Sequence, residues 1–184
     1  MSKIGVSGAR YAIQTVDTGS TLTYSAPVLL PGIVEVDVKT AKDQATLYAD
    51  NGPFDSASAL GDISVDIEVA DLSLEAYAAL LGHTITAGVM TSNANDTAPY
   101  VALGFVGQKA NGKNRWVWLL KGQFAEPDDT FKTKADKIDF QTMKLTGAFI
   151  ITTKNGNWKK TTDEDAVGYV AASGATFIAT VPTT

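Results

Sequence analysis

The chain has no cysteine and one histidine in 184 residues. Without cysteine there are no disulfides and no thiolate metal sites, so stability must come from packing and assembly. The single His83 has no second imidazole or thiolate to join it on a metal. It reads as a residue just past a helix, near the negative end of the helix dipole. No stretch approaches the ~20 apolar residues of a membrane helix. The N-terminal MSKIGVSGARYAIQT lacks the apolar segment of a secretory signal, so none is expected. Positive charge is also scarce: 15 Lys and Arg stand against 20 Asp and Glu, a formal charge of −5. Sequence-independent nucleic-acid binding relies on cations that displace phosphate counterions, and an acidic chain suits it poorly.

Catalytic and ligand motifs are missing as well. Val6-Ser7-Gly8-Ala9-Arg10 does not match the nucleophile-elbow pattern G-x-S-x-G. Gly104, Gly107 and Gly112 lie in or beside strand patterns rather than before a helix, so they do not form a phosphate cradle. Asp163-Glu164-Asp165 lacks the spaced ligands of a calcium loop and reads as a solvated acidic turn. Lys109, Lys113 and Arg115 read as a small basic tip on a hairpin. Neither a cofactor nor a metal is expected.

What is present is β patterning and one helix. Apolar residues make up 45% of the chain, enough for a core. In the stretch 63–69, Ile63, Val65, Ile67 and Val69 point one way, and Ser64, Asp66 and Glu68 the other. Val34, Val36 and Val38 alternate in the same manner with Glu35, Asp37 and Lys39. Two strands thus predict an apolar face backed by a mainly acidic one, with no obvious local cation for residues 64–68. Between them, Asp50-Asn51-Gly52-Pro53 is turn chemistry. It opens an expected loop over 50–61, low in charge and rich in small residues, which includes Phe54, Asp55 and Leu60.

Asp71 or Ser73 can cap a helix over 73–82. Leu74, Tyr77, Ala78 and Leu81 form its apolar stripe, and Gly82 fits the left-handed position after it. Strands are expected over 100–109 and 114–124, joined by Ala110-Asn111-Gly112-Lys113. Trp116, Trp118, Leu120 and Phe124 are expected on one face, as core or as a surface covered by a neighbour. Residues 138–154 predict a long strand whose parity changes, so a bulge is expected near Gln141–Met143. Residues 175–181 predict a last strand or a strand-adding arm. The chain divides into an N-terminal arm (1–27), a β core (28–154) and a C-terminal segment (155–184), all in one domain.

The order of these segments resembles the major tail proteins, or tail-tube proteins, of long non-contractile bacteriophage tails. The phrases that carry it are IGVSGARYAIQT, LPGIVEVDVKT, LYADN followed by GDISVDIEVADLSLEAYAALLGH, and the hairpin from PYVALGFVGQKANGKNRWVWLLKGQFAEPDD to KLTGAF. They cover the chain to about Lys160. The resemblance implies a mainly β, sandwich- or barrel-like tail-tube fold with one short flanking α-helix, an extended N-terminal arm and a long β-loop. It implies hexameric rings stacked into a tube that conducts DNA, in a virion tail made in the bacterial cytoplasm. Implied partners are further copies of the chain and the tape-measure, terminator and distal tail proteins. No membrane and no specific DNA contact are implied.

On that basis Glu35, Asp37, Ser64, Asp66 and Glu68 are expected to face the lumen. Asn51, Gly52, Pro53, Phe54, Asp55 and Leu60 are expected to make contacts between rings. Alternatives stay open: a monomeric ligand-binding β-barrel with a tryptophan-lined pocket, a β-sandwich hydrolase using His83, a tail terminator, or a contractile-type inner tube.

Overall fold

The computed structural model describes residues 2–49, 51–129 and 142–184, with backbone alone at 42–45, 48–49, 53–54 and 56–58. The first half contains β1 (Lys3–Asp17), β2 (Leu22–Tyr24), β3 (Val28–Leu29), β4 (Ile33–Ala49) and β5 (Gly52–Val69). Helix α1 (Leu74–Leu81) and the small hairpin β6 (Thr84–Thr86) and β7 (Val89–Thr91) follow. The second half contains β8 (Val101–Lys109), β9 (Asn114–Phe124), β10 (Met143–Phe149), β11 (Lys159–Asp163) and α2 (Ser173–Ala179).

The molecule is mainly β. Among the described residues, one antiparallel sheet follows the path β2–β1–β8–β9–β10–β5–β4, with β3 added to β1 and β11 to β9. β4 comes back against β1 without a hydrogen-bonded ladder between them. The sheet therefore wraps around its core but does not close into a barrel. Residues 3–17, expected in an arm, form a full strand paired with β8.

The alternation in β5 does what its pattern predicts. Ile63, Val65, Ile67 and Val69 are buried, together with Leu145 and Phe149 of β10 and Leu103, Val117 and Leu119 of β8 and β9. Helix α1 covers one side of this cluster. Ser73 caps it by accepting from the Ala76 N–H at 3.3 Å, and Gly82 ends it at φ 80°. A Cβ on Gly82 would lie 2.3 Å from the Thr97 carbonyl oxygen, so only glycine fits there. The expected stripe needs one correction: Leu74 is 40% exposed, whereas Ala76 and Leu80 are buried. Ala76, Tyr77, Ala78, Leu80 and Leu81 are all buried, so the covered face of the short helix is wider than one stripe.

A second cluster lies on the opposite face of β8 and β9. Ala12, Ala102, Trp116, Trp118 and Leu120 pack there against Ile178 and Val181. The segment expected as a strand over 175–181 is instead largely helix α2. Its Phe177 carbonyl accepts from Trp118 Nε1 at 2.8 Å. The helix buries Ile178 in this cluster and gives the buried indole the partner its N–H requires.

Phe124 does not share the tryptophan face. Val101 opposes Gly122 while Leu103 opposes Leu119, so β9 holds one extra residue there. This bulge reverses the parity and sends Phe124 into the first cluster. A second bulge between Ile33 and Glu35 puts Ile33 against the core and leaves Val34 51% exposed, outside the expected series with Val36 and Val38. β10 ends at Phe149 rather than running to Lys154, where the chain turns; the expected bulge near Gln141–Met143 includes Gln141, outside the described residues.

Candidate functional surface

β4, β5 and β10 lie side by side and gather the predicted acidic residues on one face. Glu35 pairs with Glu68, Asp37 with Asp66 and Lys39 with Ser64 across β4 and β5. Lys144, Thr146 and Ala148 of β10 stand opposite Glu68, Asp66 and Ser64. All five residues expected to face the lumen therefore share one surface, backed by Val36, Val38, Val65, Ile67 and Leu145.

The expectation that this face lacks a local cation is wrong for Asp66. Lys39 Nζ is 2.9 Å from Asp66 and 3.3 Å from Asp37, and Lys144 Nζ is 3.1 Å from Asp66. Thr146 Oγ1 also donates to Asp66 at 2.7 Å. Lys39 first, then Thr146 and Lys144, hold the Asp66 carboxyl well below the usual range. Like charges directly across a ladder repel, and the two lysines relieve that at the Asp37–Asp66 pair. Glu35 and Glu68 have no cation partner among the described residues; Glu68 accepts from Thr142 Oγ1. Among the described residues, four carboxylates against two ammonium groups leave the face acidic. They surround a shallow dent of about 110 Å³.

The expected loop over 50–61 is a ribbon. β5 pairs with β10 only from Ile63 to Val69, whereas β4 and β5 stay paired out to Ala49 and Gly52. Among the described residues, 41–49 and their partners thus run on as a two-stranded ribbon, about 30 Å at ~3.3 Å per residue. Asn51, at the tip, has φ 65°, a conformation asparagine tolerates. The backbone of Pro53 and Phe54 lies at a bulge: Leu47 opposes Asp55 and Tyr48 opposes Pro53. Proline has no N–H for a regular ladder, and a bulge accommodates it. Leu47 and Leu60 are 61% and 47% exposed.

No protein-family model matches this sequence, and no curated protein shows significant similarity to it. The reading of this surface therefore rests on its geometry.

The other candidates resolve into structural roles. Trp116 and Trp118 are buried by their own chain, with Tyr169 stacked on Trp116 at 5.8 Å. The basic tip and the acidic turn are not separately solvated; they pair. Lys109 is buried and bonds Asp163 and Asp165, Lys113 reaches Asp165 at 2.8 Å, and Arg115 reaches Asp163 at 2.6 Å. Lys109 first, against the cost of burial, brings the Asp163 carboxyl down to about 2. Asp17 forms a further, half-buried pair with Lys121 at 2.6 Å. Burial works against its charge, but Lys121 and Thr153 outweigh it and bring the carboxyl down to about 2.

His83 sits in a cluster that sequence reasoning missed. Nδ1 is 2.8 Å from Asp96 and Nε2 is 3.1 Å from Glu126. Tyr77 stacks on the ring at 5.9 Å, and its hydroxyl donates to Glu126 at 2.7 Å. Only the imidazolium carries an N–H on both nitrogens, so two carboxylate partners favour the charged ring. Asp96 raises the histidine pKa, burial opposes it, and Glu126 adds to the rise. Nothing local in the sequence marks the partners, which lie 13 and 43 residues away. Among the described residues, no three or more metal-ligating side chains come close enough to hold a metal ion, and no helix is long and apolar enough to cross a membrane.

Proposed function

We propose that this chain is a structural virion protein that polymerises as stacked hexameric rings into a phage tail tube. The observation that carries the reading is the β4–β5 ribbon. An isolated two-stranded ribbon is marginal in water. This one is long, shows exposed leucines and, among the described residues, ends the sheet with an open β4 edge. Open edges and unsupported ribbons find partners, and a closed ring of identical copies provides them without runaway aggregation.

In this reading the ribbon reaches the next ring, and the face of Glu35, Asp37, Ser64, Asp66 and Glu68 lines the lumen. Repeated around an axis, its net negative charge repels phosphates everywhere, so DNA passes with few sticking points. The role is not catalytic. The tape-measure, terminator and distal tail proteins are the further partners proposed, and the virion tail is the proposed location.

Negative-stain microscopy of the purified chain, with light scattering over a wide concentration range, tests assembly. Tubes or six-fold rings are expected; a strict monomer at high concentration overturns the proposal. The lumen is tested by changing Glu35 and Glu68 to lysine, which leaves the Lys39–Asp66–Lys144 cluster in place. Tubes of this variant should retain DNA, less so at high salt. DNA retention equal to wild type, or labelling of these positions on the outside of intact tubes, refutes the lumen assignment.

A further inference from the structure

The core face of the sheet has an open end that neither the tube reading nor the acidic face uses. A cavity of about 430 Å³ lies there between β1, β4, β8, β9 and β11. That volume is in the range of small-molecule sites, about 300–1,000 Å³. Phe105, Val117, Val38 and the Trp158 indole give it apolar walls, and Thr40 and Thr161 add hydroxyls.

Its charge is opposite to that of the chain. Among the described residues, Lys3, Arg115 and Lys159 line it and no carboxylate does, although the net charge is −5. The ladder explains why the cations are there. Lys159 opposes Leu119 and Thr161 opposes Val117, so both residues of β11 stand on the face that carries the core. The Lys159 ammonium lies 4.6 Å over the Trp158 ring. Neither Lys159 nor Lys3 has a carboxylate partner among the described residues. Asp163 holds Arg115 through Nε and one terminal nitrogen, and among the described residues its other terminal nitrogen has no partner.

We propose that this cavity is a binding site for an amphipathic anion: a small molecule with an apolar body and one acidic head group. The body lies along Trp158, Phe105 and Val117, and the head meets Lys3 and Lys159. The site is distinct from the tryptophan pair of the second cluster, which is filled by α2.

The test uses the full chain below its assembly concentration, with 8-anilinonaphthalene-1-sulfonate as a fluorescent probe and laurate as competitor. One saturable site is expected, displaced by laurate but not by dodecanol, which has the same body and no charge. Changing Lys3 and Lys159, both exposed, to glutamine should weaken the probe about tenfold, the factor given by ~1.4 kcal/mol of lost attraction. Circular dichroism confirms that this variant is folded. Thr40→Trp should fill the cavity and abolish binding. Displacement by dodecanol as effective as by laurate, or unchanged probe binding in the Lys3→Gln, Lys159→Gln variant, overturns the proposal, as does absence of saturable binding in the wild type.

Discussion

The centre of the sheet and the outer half of the β4–β5 ribbon are built from the same strand geometry but bury very different amounts. β8 and β9 carry core on both faces, with Val101, Leu103 and Leu119 toward α1 and β5, and Ala102, Trp118 and Leu120 toward α2. Among the described residues, the ribbon beyond Ile63 has no sheet neighbour other than its own two strands. Burial of apolar surface, at ~25 cal/mol per Å², makes the first region the source of stability. The second contributes little to the isolated chain and has most to gain from a partner. A fold can thus keep its stability and its assembly surface on separate parts of one sheet.

The comparison breaks most readily at Trp118. Trp118→Ala removes a fully buried indole and should cost about 3–5 kcal/mol. Leu47→Ala, on the ribbon, should stay within ~0.5 kcal/mol. Denaturant melts of the two variants measure this directly, and equal losses would remove the distinction.

Gly122 gives the next effect. A Cβ there would lie 2.5 Å from the Phe149 ring. Gly122→Ala should cost about 1–3 kcal/mol by overpacking. Adding Phe149→Leu should make the double change cheaper than the sum of the two singles. Additive losses would show that the close approach does not set the cost.

The His83 cluster sharpens the comparison through pH. Its folded pKa is raised, so its stabilisation is fully present below the unfolded value of ~6.5 and is lost as pH rises through the folded value. The stability difference between wild type and His83→Gln should therefore shrink from pH 6 toward pH 9. A difference that grows over that range would mean that the neutral ring is the favoured partner of Asp96 and Glu126.

The smallest effect on stability is expected from removing residues 53–60. The core and α1 should melt within a few degrees of wild type, because the described side chains of this stretch, Asp55, Ala59 and Leu60, are exposed. Tube formation should be lost. Global unfolding would place the ribbon inside the stability of its own chain; normal tubes would remove it from the contacts between rings.

Local chemistry made several features legible in the sequence alone. The alternation at 63–69 determined which residues of β5 are buried, because side chains in a strand alternate whatever lies beside it. Ser73 and Gly82 determined the ends of α1, since capping involves only neighbouring backbone. Asn111-Gly112 marked the turn between β8 and β9, and the grouping of Glu35, Asp37, Asp66 and Glu68 followed from two matching patterns. The tertiary structure decided what depends on register and on distant partners. It placed Lys144 opposite Glu68 and within reach of Asp66, brought Asp163 to Lys109 and Glu126 to His83, and moved Phe124 across the sheet through one extra residue in β9. It also made 173–179 a helix, packed by Ile178 and by its Phe177 carbonyl on the distant Trp118. Charge pairing and burial are set by which segments meet, and a one-residue shift in pairing reverses which face a side chain occupies.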